Sequence, residues 1–214
     1  MSPLSDARQT RNEGGRTAGV ILAGGRSRRM GGDIKALMPL AGKSLLQHVI
    51  DRVAPQVDEL YLSVEQPAPG FDRFGLEQVP DPKPGSNGPL GGLLASLERA
   101  AADGCDWLLL APCDAPFLPA DLAELLHACA ARESADIAVV RHESRLHPTF
   151  SLWNRSVIND IERAVLVEEV AGFMQFLETR RYAVLEWNGA DNNVFFNINN
   201  QAELDEAASV LASS

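Results

Sequence analysis

From residue 18 onward, short unbroken apolar runs alternate with segments whose apolar positions recur every three or four residues. Residues 18–23 (AGVILA) form the first run and end in glycines, the pattern of a strand buried on both faces. Helical spacing follows over 45–53 and is closed by Pro55. Strands are expected at 59–64 and 76–79, then a helix at 90–102 opened by Gly88-Pro89. Residues 106–111 (DWLLLA) are apolar after the first position and read as the central strand. A helix over 118–131 carries Pro119, Asp121 and Glu124 in its first turn, which suits the positive end of a helix dipole. Strands at 136–141 and 149–153, helices at 155–165 and 171–179, a strand at 182–187 and a helix at 202–211 complete the reading.

Alternation of this kind predicts an α/β protein: one three-layer αβα sandwich with a mainly parallel sheet, occupying residues 18–214. Residues 1–17 are polar and turn-prone and are expected to be a disordered leader. In such sheets ligands sit beyond the carboxyl ends of the strands. The three most distinctive loops, at 22–35, 80–92 and 112–119, each follow a strand.

Composition narrows the partners. The chain has 29 Asp and Glu against 19 Lys and Arg, a formal net charge of -10, which argues against a general nucleic-acid surface. No apolar run approaches the roughly 18 residues of a membrane span, and the N-terminus has no apolar secretory segment. Cys105, Cys113 and Cys129 show no CxxC spacing, so a reducing cytoplasm is expected, without disulfides or zinc. A small anionic ligand remains compatible, because local cations outweigh a distant net charge.

The densest positive charge lies on the most glycine-rich stretch, LAGGRSRRMGGDIK at 22–35. It contains neither GxGxxG nor GxxxxGK[ST], so both common phosphate loops are excluded. What it offers is a strand end, then Gly24-Gly25, then cations at 26, 28, 29 and 35. Paired glycines let successive N–H groups converge on an anion, an arginine grips a phosphate bidentately, and Lys35 acts as a point charge. Asp114, in APCDAPFLP, ends the central strand between prolines and suits Mg²⁺, which takes only one or two carboxylates besides substrate oxygens. In isolation Asp114 reads equally well as a turn residue before a helix. Asp81, followed by GPLGG at 88–92, offers a carboxylate to paired N–H donors or to a ribose hydroxyl; a plain helix start with turn prolines is the alternative. Cys113 reads as a small buried residue and His147 as structural. Residues 197–200 (NINN) precede the last helix, where asparagine is a common cap.

Taken together, LAGGRSRRMGGDIKAL, PDPKPGSNGPLGG, PCDAPFLP, HPTFSLW and FFNINNQAEL resemble the molybdenum cofactor guanylyltransferase family, in order from about residue 19 to 204. The resemblance implies a Rossmann-like nucleotidyltransferase fold and transfer of GMP from GTP to the terminal phosphate of molybdopterin cofactor, with release of pyrophosphate. It implies backbone contacts to the nucleotide from Leu22, Ala23 and Gly24, with Gly25 completing the turn. Arg29 is implied on the β/γ-phosphates, Lys35 on the α-phosphate, and Asp114 on Mg²⁺. Asp81 is implied at guanine or ribose, with Gly88 and Gly92 shaping that wall and Ser63 as a further nucleotide contact. Asn197 and Asn199 are implied toward the pterin substrate. The same resemblance implies transient contact with the proteins that deliver the cofactor and receive the product, and no role for nucleic acid or membrane. The sequence departs from the family in two places. The acidic residue usually next to the lysine is displaced to Asp33, leaving Ile34 before Lys35, and Ser63 stands where a longer asparagine is usual. A cytidylyltransferase for the same cofactor or for a sugar or polyol phosphate, and a non-catalytic nucleotide-binding module, are the alternatives at this stage.

Overall fold

A computed structural model describes residues 15–24, 34–82, 88–189 and 194–212. In chain order the strands and helices are β1 (Thr17–Leu22), β2 (Pro39–Leu40), β3 (Lys43–Ser44), α1 (Leu45–Val53), β4 (Glu59–Val64), β5 (Glu77–Pro80), α2 (Gly88–Ala102), β6 (Trp107–Pro112), α3 (Leu122–Glu133), β7 (Ile137–His142), β8 (Arg145–Asn154), α4 (Ile158–Leu166), α5 (Phe173–Leu177), β9 (Ala183–Glu186) and α6 (Gln201–Ala212). Seven strands form one sheet in the order β5-β4-β1-β6-β8-β7-β9, and β2 and β3 form a separate small hairpin.

β4 and β6 both pair in parallel with β1, and β5 pairs in parallel with β4. β8 alone runs against its neighbours β6 and β7, and β9 returns parallel to β7. The sheet is therefore mainly parallel, as its continuous apolar strands predict. Strand side chains alternate between two helical layers. Ile21, Leu109 and Val140 pack with Leu46 and Val49 of α1 and Leu126 of α3. Val20, Leu108 and Val139 face the opposite way, onto Leu93 and Leu97 of α2, Ile161 of α4 and Phe176 of α5. No helix among the described residues is long and apolar enough to cross a membrane.

The departures from the expected boundaries have local causes. Thr17 already belongs to β1, and the carbonyl of Arg16 accepts the Asp106 N–H at 2.8 Å, so the first strand starts ahead of residue 18. β8 starts at Arg145 and not at 149, because the two-residue turn Glu143-Ser144 has positive φ at both positions and drives hairpin pairing to the tip. Pro148 falls where the register shifts between Val139 and Val140, so its missing N–H removes no ladder bond. α3 begins at Leu122, four residues late. The Gln56 side chain donates to the Pro119 carbonyl at 2.9 Å and accepts the Ala123 N–H at 2.9 Å, fixing residues 119–121 as a loop. α5 is only five residues long, with Gly172 extended at its start.

A third, smaller core bears on the site. Leu40, Leu45, Phe117, Ile198, Leu204 and Ala207 pack together, so α6 and the segment before it are held against the β2–β3 hairpin and the loop after β6.

Candidate active site

The chain leaves β1 toward β4 and β5, then crosses back to place β6 on the other flank of β1. The strand order therefore reverses at the β1/β6 boundary, the position where open α/β sheets bind ligands. Backbone hydrogen bonds join the strand ends there. The N–H groups of Ala23 and Gly24 both donate to the Ser63 carbonyl, at 2.9 and 2.8 Å. Cys113 donates to the Leu22 carbonyl at 3.2 Å, and Asp81 to the Val64 carbonyl at 2.9 Å. Gly24 is required by this stitching: a Cβ there would lie 2.8 Å from the Glu65 nitrogen. Leu22, Ala23, Ser63, Asp81 and Asp114 are thus gathered at one edge.

Lys35 opens a single helical turn, Lys35–Leu37, and its ammonium donates to the Asp114 carboxylate across the boundary between the β1 and β6 ends. Only 11% of the lysine side chain and 15% of the aspartate side chain remain exposed, so the pair is largely shielded from water. A second acceptor, Asn199 Oδ1, lies 3.0 Å from Lys35 Nζ. Asn199 Nδ2 donates to the Asn197 carbonyl at 2.9 Å, and the Ile198 N–H donates to the Asp114 carbonyl at 2.9 Å. Sequence reasoning assigned Lys35 and Asp114 together, but it sent Asn197 and Asn199 toward the other substrate and missed the contact of Asn199 with Lys35. Nothing local signals a partnership between residues 164 positions apart. The nearest clue is the third core, whose apolar residues alternate with this segment.

A second group sits at the ends of β4 and β5. A Cβ on Gly92 would lie 2.6 Å from Ser63 Oγ and 2.8 Å from Asp81 Oδ1, so these three residues converge on one wall. Burial, and then the charge of Glu65, push the Asp81 carboxyl above its ordinary value. A carboxylate so placed gains from N–H donors supplied by a ligand. Gly88 lies elsewhere: its φ is +53°, a Cβ would meet the Ala171 carbonyl oxygen at 2.8 Å, and Leu90 N–H donates to that same oxygen at 3.2 Å. Its visible task is to start α2 against the loop before α5. Gly25 and Arg29, with Arg26, Arg28 and Asp33, lie outside the described residues.

Among the described residues no group of three or more His, Cys, Asp and Glu could cage a metal. The donor set shown around Lys35 is one carboxylate, Asp114, together with the Asn199 carboxamide oxygen. That set fits a hard cation that completes its shell with phosphate oxygens and water, and does not fit a structural metal. Burial and the adjacent Asp114 push the Cys113 thiol up to about 12, which leaves it protonated and unfit as a nucleophile. His147 packs against Phe150 and Phe195, with ring centroids 6.1 and 5.6 Å away, in the structural role expected of it. A cavity of about 930 Å³ opens beyond the β7–β8 hairpin, lined in part by Arg141, Arg145, Glu186 and Trp187; neither Lys35 nor Asp114 is in its wall.

Comparison with known proteins agrees with this geometry. The MobA-like NTP transferase domain model matches residues 19–184. A molybdenum cofactor guanylyltransferase of Rhodopseudomonas palustris (strain BisB5) is 42% identical over 193 residues, covering 89% of this chain and 92% of that protein. One from Cereibacter sphaeroides is 41% identical over 196 residues, covering 92% and 97%. The crystal structure of molybdopterin-guanine dinucleotide biosynthesis protein A from Archaeoglobus fulgidus superposes with a TM-score of 0.77 at 21% identity, covering 92% of this chain and all of that one, a likeness of fold. With the strand order, the Lys35–Asp114 pair at the sheet's switch point and relatives of this identity over nearly the whole chain, the protein belongs to the molybdenum cofactor guanylyltransferase family of MobA-like NTP transferases.

Proposed function

We propose that the protein transfers GMP from GTP to the terminal phosphate of molybdopterin cofactor and releases pyrophosphate. The observation that carries the reading is the shielded Lys35–Asp114 pair at the β1/β6 switch point, with the Ser63–Asp81–Gly92 wall toward the β4 and β5 ends. A terminal phosphate oxygen of the acceptor attacks the α-phosphorus of GTP, and the bond to the bridging oxygen of pyrophosphate breaks. The nucleophile is already ionised, so no general base is needed; positioning and charge neutralisation dominate. Lys35 neutralises charge building on the α-phosphate. Asp81 accepts the paired N–H donors of guanine, or a ribose hydroxyl. Arg29, outside the described residues, holds the β/γ-phosphates in this reading. Asp114 would hold Mg²⁺, which supplies charge neutralisation to the triphosphate when bound.

The three cysteines are buried and free, which accords with action in the cytoplasm, where this reading places the protein. Transient contact with proteins that hand over the cofactor and take the product belongs to the same proposal. Competition between GTP and CTP in a pyrophosphate-release assay with molybdopterin tests it. Preference for GTP is expected; preference for CTP overturns the guanylyl assignment, and nucleotide binding without pyrophosphate release overturns the enzymatic one.

A further inference from the structure

Lys35 is held by two acceptors of different kinds, and the neutral one is locked in place. Asn199 Nδ2 is committed to the Asn197 carbonyl at 2.9 Å, so flipping the carboxamide would turn two hydrogen bonds into two clashes of like poles. The Asn199 backbone N–H donates to the Glu203 carboxylate. Glu203 is itself set by the first turn of α6, where its N–H donates to Asn200 Oδ1 at 3.0 Å. Asn200 thus caps α6, and the Glu203 carboxylate reaches one residue further back than in a capping box, to the N–H of Asn199 at the edge of the site. Ile198, between the two asparagines, is fully buried in the third core and anchors the segment.

We propose that Asn199 is a positioning residue for Lys35 during nucleotidyl transfer, set by the Asn200–Glu203 cap of α6. The inference rests on the functional reading above. In the free protein Lys35 and Asp114 neutralise each other. Their two tasks, a cation at the α-phosphate and a carboxylate for a divalent ion, require them to separate when metal and triphosphate arrive. A lysine on a flexible four-carbon stem loses its direction at that moment unless another acceptor keeps it. A carboxamide oxygen does so without cancelling the positive charge, and two ammonium hydrogens remain for phosphate.

The test is a double-mutant cycle on Lys35→Met and Asn199→Ala. It is read by kcat, by KM for GTP and for molybdopterin, and by calorimetric affinity for Mn²⁺–GTP, which needs no turnover. Losing a hydrogen bond to a charged group predicts a kcat for Asn199→Ala lower by about 10- to 100-fold, with the molybdopterin KM within about 3-fold of wild type. In the Lys35→Met background the same substitution changes kcat and Mn²⁺–GTP affinity by less than about 2-fold. Glu203→Gln, which perturbs the relay without touching Lys35, lowers kcat in the same direction by a smaller factor and serves if Asn199→Ala folds poorly. Equal effects of Asn199→Ala in both backgrounds overturn the proposal, as does a raised molybdopterin KM at unchanged kcat, which would make Asn199 an acceptor contact. If the wild-type protein releases no pyrophosphate, the functional reading falls, while the calorimetric cycle still decides whether Asn199 acts through Lys35.

Discussion

Gly92 allows the proposed nucleotide wall to be tested apart from the stability of the fold. It lies in the first turns of α2, where alanine is favoured over glycine by about 1 kcal/mol in a helix interior. An alanine Cβ at this position would fall 2.6 Å from Ser63 Oγ and 2.8 Å from Asp81 Oδ1, both well inside contact distance. These obstructing atoms are side-chain ends, so they give way by rotating, at a cost that roughly offsets the helix gain. Gly92→Ala is therefore expected to melt within a few degrees of wild type. The displaced Asp81 carboxylate no longer meets the base or ribose, and losing a charge-assisted hydrogen bond of about 1.5–3 kcal/mol weakens GTP by roughly 10- to 100-fold. Calorimetric titration of GTP, beside a thermal melt, reads both quantities. Undiminished GTP affinity in a folded Gly92→Ala protein refutes the assignment of Ser63, Asp81 and Gly92 to the nucleotide wall. Gly88→Ala is the control for backbone strain. There φ is +53° and the obstacle is the Ala171 carbonyl, so it should lose about 1–3 kcal/mol of stability.

Other expected outcomes are as specific. Gly24→Ala drives a Cβ to 2.8 Å from the Glu65 nitrogen, a backbone atom, and should cost about 1–3 kcal/mol, seen as a lower urea midpoint. Asp114→Asn should cut metal-dependent kcat by about 100-fold or more while the melt shows a folded protein; near-normal activity would contradict its place in the site. Burial holds the His127 imidazole below its ordinary value, so the unfolded chain binds the proton more readily. Its contribution to stability is complete above the unfolded value of about 6.5 and drains as pH falls from there through the lower folded value. Urea midpoints at acid and neutral pH should converge in His127→Gln relative to wild type. Asp81 titrates above its ordinary value, so GTP affinity should fall as acid protonates it in the free protein, and this dependence should vanish in Asp81→Asn.

Much of this architecture was legible in the sequence because the central strands are buried on both faces. Continuous apolar runs such as LLLA at 108–111 admit few other readings, and the expected 45–53 helix and 59–64 strand match α1 and β4 residue for residue. Where reading failed, tertiary contacts decided the outcome. The Gln56 side chain, more than sixty residues from Pro119 and Ala123, shortens α3 at its start, and no local pattern reports such a link. The β2–β3 hairpin went unread because its strands are two residues each, too short for any period, although Ala41-Gly42 turns with positive φ at both positions. At the site, glycines and charges after strand ends pointed to the edge of the sheet where Ser63, Asp81, Lys35 and Asp114 are gathered, since backbone approach and ion pairing leave composition signatures. Gly88 and Gly92 looked alike in sequence yet serve different neighbours, Ala171 for one and Ser63 with Asp81 for the other. The hold of Asn199 on Lys35 depends on how α6 docks through Ile198 and Leu204, which is a property of the assembled core.

The central claim is that the group moved is the α-phosphate with its nucleoside, carried to a phosphate acceptor beside Lys35 and Asp114. GTP labelled on the α-phosphate, incubated with the protein, Mg²⁺ and molybdopterin, tests this directly. The label is expected in a guanine dinucleotide of the cofactor, with unlabelled pyrophosphate formed in equal amount and both products formed far more slowly by Lys35→Met. Label that remains in GTP, or appears only in free GMP or GDP, would contradict the account.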